Sequence, residues 1–296
     1  MAEAVQEILD VFNRQDIRGY PRDTIDVALQ NEKELTPHLI GILESLLNDP
    51  ASFIKGERYF APILAMNLLA HFGNRDAHET IVEIMALPRD ILDELFGDLI
   101  TEDFPRILYQ TCGGKYERIK EMVLNKSADE YVRGSAMKAL VFGVLLDDLP
   151  RLETLDFFRG LFTGTEAEDS DHFWDAAASC VRDLYPAEVM DTIERAYEQE
   201  LIWPGYIDLQ TFDRALSEDR SGFLAKRKRE VGSRIKDDFH DYMSWWACFR
   251  QGASPSLRGA MEGHFNRQFS DEKEQKKKKK AKKKTTKKSR RKNRRR

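Results

Sequence analysis

Apolar positions along the chain recur with the period of an α-helix. In 37–48, Leu39, Ile42, Leu43, Leu46 and Leu47 fall at i, i+3, i+4, i+7 and i+8, which places them on one helix face. Thr36-Pro37 reads as an N-cap followed by proline at the first helical position, where the missing N–H costs nothing. Asn48-Asp49-Pro50 reads as the stop. No stretch shows the period-two alternation with β-branched runs of a half-buried strand, so the chain is expected to be all-α.

A longer period overlies the short one. Phe60, Tyr131 and Phe173 each precede an alanine by five residues (Ala65, Ala136, Ala178) and a further apolar residue by eight (Leu68, Ala139, Val181). Phe104 has the weaker partners Tyr109 and Cys112. A turn and a second helix are expected after each block, at 76–86, 115–124, 149–161 and 187–199. The aromatic intervals of 44, 27 and 42 residues bracket the ~40–47 of two-helix repeats. The pattern predicts a HEAT-like α–α superhelix, a solenoid of stacked helix pairs, with an irregular helical bundle as the alternative.

Boundaries are modest. Thr163–Ser170 reads as a polar loop, with Ser170 or Asp171 capping the next helix. Trp203-Pro204-Gly205 breaks the chain again, and 222–249 reads as a last amphipathic helix with Leu224, Val231, Ile235, Phe239, Tyr242 and Trp246 on one side. The expected organisation is a helical repeat domain over 1–250, a linker over 251–275 and a disordered tail over 276–296.

Charge changes this picture. The formal net charge is −4, yet the last 21 residues hold 16 bases and no acid, leaving 31 bases against 51 acids, a net of −20, on the rest. The tail cations are Lys276, Lys277, Lys278, Lys279, Lys280, Lys282, Lys283, Lys284, Lys287, Lys288, Arg290, Arg291, Lys292, Arg294, Arg295 and Arg296. With no side chain there more apolar than Ala281, nothing offsets the entropy of ordering. Such an arm attracts polyanions by counterion release, and without interleaved aromatics it has no means of reading base sequence. A solubilising tail, a nuclear-import signal and an arm folded back on its own acidic body are the competing uses. Lys226-Arg227-Lys228-Arg229 forms a second basic cluster, readable as an added contact or a solvated helix face.

Other chemistry is sparse. Cys112, Cys180 and Cys248 form no CxxC pair, which reads as reduced thiols in a cytosolic or nuclear compartment. The longest apolar run, Ala139–Leu146, has eight residues, far short of the ~20 that span a bilayer, and the acidic N-terminus is unlike a signal peptide. Asp237, His240 and Asp241 share a helical face that a divalent metal could use, although exposed polar faces are common. Glu102-Asp103 and Asp147-Asp148 fit helix capping better than acid–base catalysis. Ser179-Cys180 fits core packing, and Trp203, Trp245 and Trp246 are candidates to line a groove. His78-Glu79 is the one His-Glu dipeptide, against the several that metal-dependent HEAT-repeat hydroxylases need.

Three segments carry a resemblance: Gly97–Leu108, Arg133–Leu140, and Trp203–Ile207 with Phe212. Over 5–220 the chain resembles a mainly bacterial family of helical-repeat proteins classed as a domain of unknown function, and more distantly HEAT and armadillo arrays. The resemblance implies the fold and brings no activity. Members often end in a Cys-rich zinc module of the SEC-C type, and here no cysteine follows Cys248.

These observations lead to an expectation of a cytoplasmic, non-enzymatic scaffold without cofactor, small-molecule substrate or membrane. Its acidic body would bind a protein partner, and its tail would contact RNA, DNA or the ribosome. A helical-repeat enzyme with a cryptic metal or nucleic-acid-processing site, and an adaptor whose tail is a nuclear address, are the rivals.

Overall fold

The computed structural model describes residues 2–14, 19–55, 60–168, 171–235, 238–246 and 249. Seventeen α-helices and no strand are found among them. In chain order they are α1 (Ala2–Phe12), α2 (Arg22–Gln30), α3 (Glu32–Asn48), α4 (Pro50–Lys55), α5 (Phe60–His71), α6 (His78–Met85), α7 (Arg89–Leu95), α8 (Leu99–Glu102) and α9 (Phe104–Thr111). Then follow α10 (Glu117–Leu124), α11 (Glu130–Leu145), α12 (Arg151–Arg159), α13 (Phe173–Asp183), α14 (Met190–Glu198), α15 (Leu209–Ser217), α16 (Arg220–Gly232) and α17 (Phe239–Met243).

The three aromatic–alanine blocks are α5, α11 and α13, and the weaker Phe104 block is α9; their expected partners are α6, α12, α14 and α10, α14 being preceded by a 3-10 turn at Ala187–Val189. Each first helix packs on the next, so that α3, α5, α9, α11, α13 and α15 form a row, with α6, α10 and α12 laid against it. Helices inside such a row have no free side, and their sequences reflect it. Every residue of α5 from Phe60 to Ala70 is buried, and α11 buries all but Tyr131 and Lys138, as a helix that is apolar all round must. Close approach explains one glycine: a Cβ on Gly143 would lie 2.8 Å from the Tyr116 ring.

Three helices end on a left-handed residue that is not glycine: Asp147, Tyr185 and Glu200, with φ of 70°, 62° and 62°. After α11, the Asp147 N–H donates to Val144 O and the Asp148 N–H to Gly143 O, which is a Schellman closure. The Leu201 N–H closes α14 in the same way on Ala196 O.

Several expectations need correction. α3 begins at Glu32, not at Pro37, which lies inside it. Burial of Leu35 beside Leu39, Leu43 and Leu46 extends the apolar stripe upstream and outweighs the one helical bond that proline removes. The helix expected over 222–249 is two helices, parted by a turn at Ser233–Ile235 and restarted by Asp238, whose carboxylate accepts the N–H of His240 and Asp241. Of the two caps expected for α13, Asp171 does not hold the N-cap position, and Ser170 lies outside the described residues. His172 holds the N-cap position, and the Glu130 carboxylate accepts its N–H. The acidic pairs do not cap by side chain either. Asp103 holds the N-cap position of α9 without such a bond, while Asp148 accepts from the Tyr109 and Tyr116 hydroxyls at 2.7 and 3.4 Å.

Candidate functional site

The sixteen tail cations, Lys276 to Arg296, lie outside the described residues, as do Asp237 and Cys248. What the structure describes is how the body spends its charge and where its C-terminal helices go. After α15 the chain turns back. α16 packs on α11, Phe223 meets the Tyr185 ring at 5.7 Å, and Arg227 pairs with Asp183 at 2.6 Å. Lys228 pairs with Asp147. Half of the second basic cluster therefore fastens α16 to the row, and Lys226 and Arg229 remain exposed.

Past the turn, α17 reaches the first helices of the chain. Phe239 meets His71 at 5.3 Å, edge to face. The Tyr20 hydroxyl and His240 Nδ1 are 2.9 Å apart, and His240 Nε2 lies 3.0 Å from an Asp26 carboxylate oxygen. Phe249 packs on Tyr20 and Phe60 at 5.3 and 6.0 Å. The imidazole that spacing offered to a metal instead joins two segments over 200 residues away in sequence. Among the described residues, no group of three His, Cys, Asp or Glu is placed to hold a metal ion.

Under α17 lies a polar network on α5 and α9. Arg106 is 5% exposed. Its Nη1 donates to Gln110 at 2.5 Å, its Nη2 donates to Asn67, and its guanidinium carbon sits 3.9 Å from the Tyr242 ring centroid. Burial lowers the Arg106 pKa to about 10 and raises that of Asp103 to about 7, with the charges of Arg106 and Arg234 opposing the rise. Sequence reading missed this network, although an arginine inside the apolar run Phe104–Leu108 was the available signal.

A second network joins α11 to α13. Asp175, fully buried, takes His172 Nδ1 at 2.8 Å on one oxygen and the Trp203 N–H at 2.6 Å on the other. Arg133 donates to Val123 O and Glu166 O and stacks 3.8 Å from the Phe173 ring. Trp203 thus belongs to this network, whereas Trp246 stacks on Tyr242 and Trp245 is 61% exposed. Trp203 and the adjacent pair Trp245–Trp246 thus hold to different parts of the fold. Cys180 is core, its thiol pushed up to about 12 by burial, and the Ser179 hydroxyl donates to Asp175 O one helical turn back. Burial lowers the pKa of His78, which bonds Thr111 at 2.9 Å.

These elements define an all-α protein built as a row of packed helices with a returning C-terminal segment. The chain belongs to the family described as protein of unknown function (DUF1186), which matches residues 3–250. It is 26% identical over 229 residues to an uncharacterized protein of Chlamydia trachomatis serovar D, covering 77% of this chain and 91% of that one. A Chlamydia muridarum uncharacterized protein is 28% identical over 229 residues, at 77% and 92% coverage. No solved structure matches the chain. The segments Gly97–Leu108 and Arg133–Leu140 meet where Ser135 donates to Ile100 O and α9 packs on α11, while Trp203 reaches the next helix of the row, α13, through Asp175. Among the described residues no helix is long and apolar enough to cross a membrane.

Proposed function

We propose that this protein is a cytoplasmic interaction scaffold: a superhelical helix-pair array whose acidic body holds a protein partner and whose basic tail engages RNA or DNA without sequence preference. The observation that carries the reading is the division of charge, −20 on residues 1–275 against +16 on 276–296. The fate of the body's own cations sharpens it. Arg106 and Arg133 are buried, and Arg89, Arg118, Arg151 and Arg227 are spent on carboxylates of the same chain. Glu3, Glu7, Asp10, Asp23, Asp26, Glu32 and Glu34 stay exposed on the first three helices. A phosphate backbone is repelled by such a surface and attracted by the tail.

The test compares full-length protein with residues 1–275 in binding a labelled RNA homopolymer across a salt series. The full-length protein is expected to lose about 10³–10⁵ in affinity between 50 and 200 mM salt for six to ten phosphate contacts, and the truncated protein to bind weakly throughout. Equal binding by both overturns the reading.

A further inference from the structure

The face of α5 and α9 under α17 is out of character with the rest of the row. Elsewhere α5 buries aliphatic and aromatic side chains, but here Asn67, Asp103 and Arg106 are only 1%, 8% and 5% exposed. Among the described residues, the buried Arg106 Nε and Tyr242 hydroxyl find no hydrogen-bond partner. Groups left in that state oppose burial, because each gave up water without full replacement.

The cover over this face is slight. α17 has five residues, too few to keep helical form unaided. The contacts that seat it include Phe239 on His71, His240 between Tyr20 and Asp26, Tyr242 over Arg106, and Phe249 on Tyr20 and Phe60. α16 is secured separately by Arg227–Asp183, Lys228–Asp147 and Phe223–Tyr185. Between the two fastenings lies the turn Ser233–Ile235.

We propose that Asp238–Trp246, with Phe249, is a latch that lifts from α5 and α9 as one unit while α16 and the helix row stay folded, uncovering Asn67, Asp103 and Arg106. Release hydrates one guanidinium and one carboxyl whose charged forms burial disfavours, and it frees both unpartnered groups. Closure regains the aromatic contacts and the His240 bridge. Two such states of one fold, balanced by opposing terms, make a gate over a polar strip.

Hydrogen exchange read by mass spectrometry on the full chain tests this without any partner. In the wild type, amides of 239–246 are expected to exchange about tenfold or more faster than those of α9 and α11, and to respond little to sub-denaturing urea, the mark of a local opening. His240→Ala and Tyr242→Ala are expected to speed exchange in 239–246 by a further tenfold or so and to leave α11 and α13 unchanged. Exchange of 239–246 that matches α11 in rate and urea response overturns the proposal. So does a variant that speeds the latch and the row together, or one that speeds neither. If either variant fails to fold, the wild-type urea series decides alone.

Discussion

Arg106 lies 3.9 Å from the centre of the Tyr242 ring while its two terminal nitrogens donate to Asn67 and Gln110. One guanidinium thus joins α5, α9 and α17. Arg106→Ala would leave the buried Asn67 oxygen unpaired and a void beneath the ring, at an expected cost of about 3–5 kcal/mol in urea unfolding. Arg106→Met keeps the volume and is expected to cost clearly less. Equal costs for the two variants would mean that the lost polar network, and not the void, sets the energy.

Two buried groups should make stability depend on pH, with opposite signs. Asp103 has a folded pKa of about 7, above its ordinary value. Its contribution is therefore fully present below the unfolded pKa of about 3.9 and is lost as pH rises through 7, at up to about 1.4 kcal/mol per unit. Asp103→Asn is expected to flatten that decline and raise the unfolding free energy at pH 8.

His78 works the other way. Burial lowers its folded pKa, so its contribution is present above the unfolded pKa of about 6.5 and falls away as pH drops below that value. His78→Gln is expected to soften the acid side of the stability–pH curve and to leave the alkaline side unchanged. Chemical denaturation between pH 5 and 8 reads both variants.

Gly143→Ala forces a methyl group to within 2.8 Å of the Tyr116 ring. Helix propensity favours alanine by about 1 kcal/mol, but overpacking a filled site costs about 1–3 kcal/mol. Net destabilisation is expected, and Tyr116→Leu in the same chain should relieve it in a double-mutant cycle.

Glu200 closes α14 at a φ of 62°, a conformation that costs a residue with a side chain about 1–2 kcal/mol. Glu200→Gly is expected to raise the melting temperature by a few degrees, and an unchanged or lower value would show that the glutamate's own contacts outweigh the strain.

Much of the row was legible because its determinants are local. An aromatic followed by alanine at five residues marks a helix that must approach its neighbours closely, and α5, α11 and α13 obey that spacing. What escaped depends on partners distant in sequence. The apolar face from Leu224 to Trp246 runs unbroken through the turn at Ser233–Ile235, so periodicity merged α16 with α17. The N-cap of α13 was misplaced because Glu130, 42 residues upstream, takes the His172 N–H. The role of His240 depends on Tyr20 and Asp26, and no spacing rule reaches across 200 residues.

The return of the C-terminal helices also joins the two ends of the described chain. Phe249 rests on Tyr20 and Phe60, and His240 on Tyr20 and Asp26. A row of helices with two bare ends can fray from either one. Here the last helices sit on the first, so fraying at the start of the chain must also displace its final described residues.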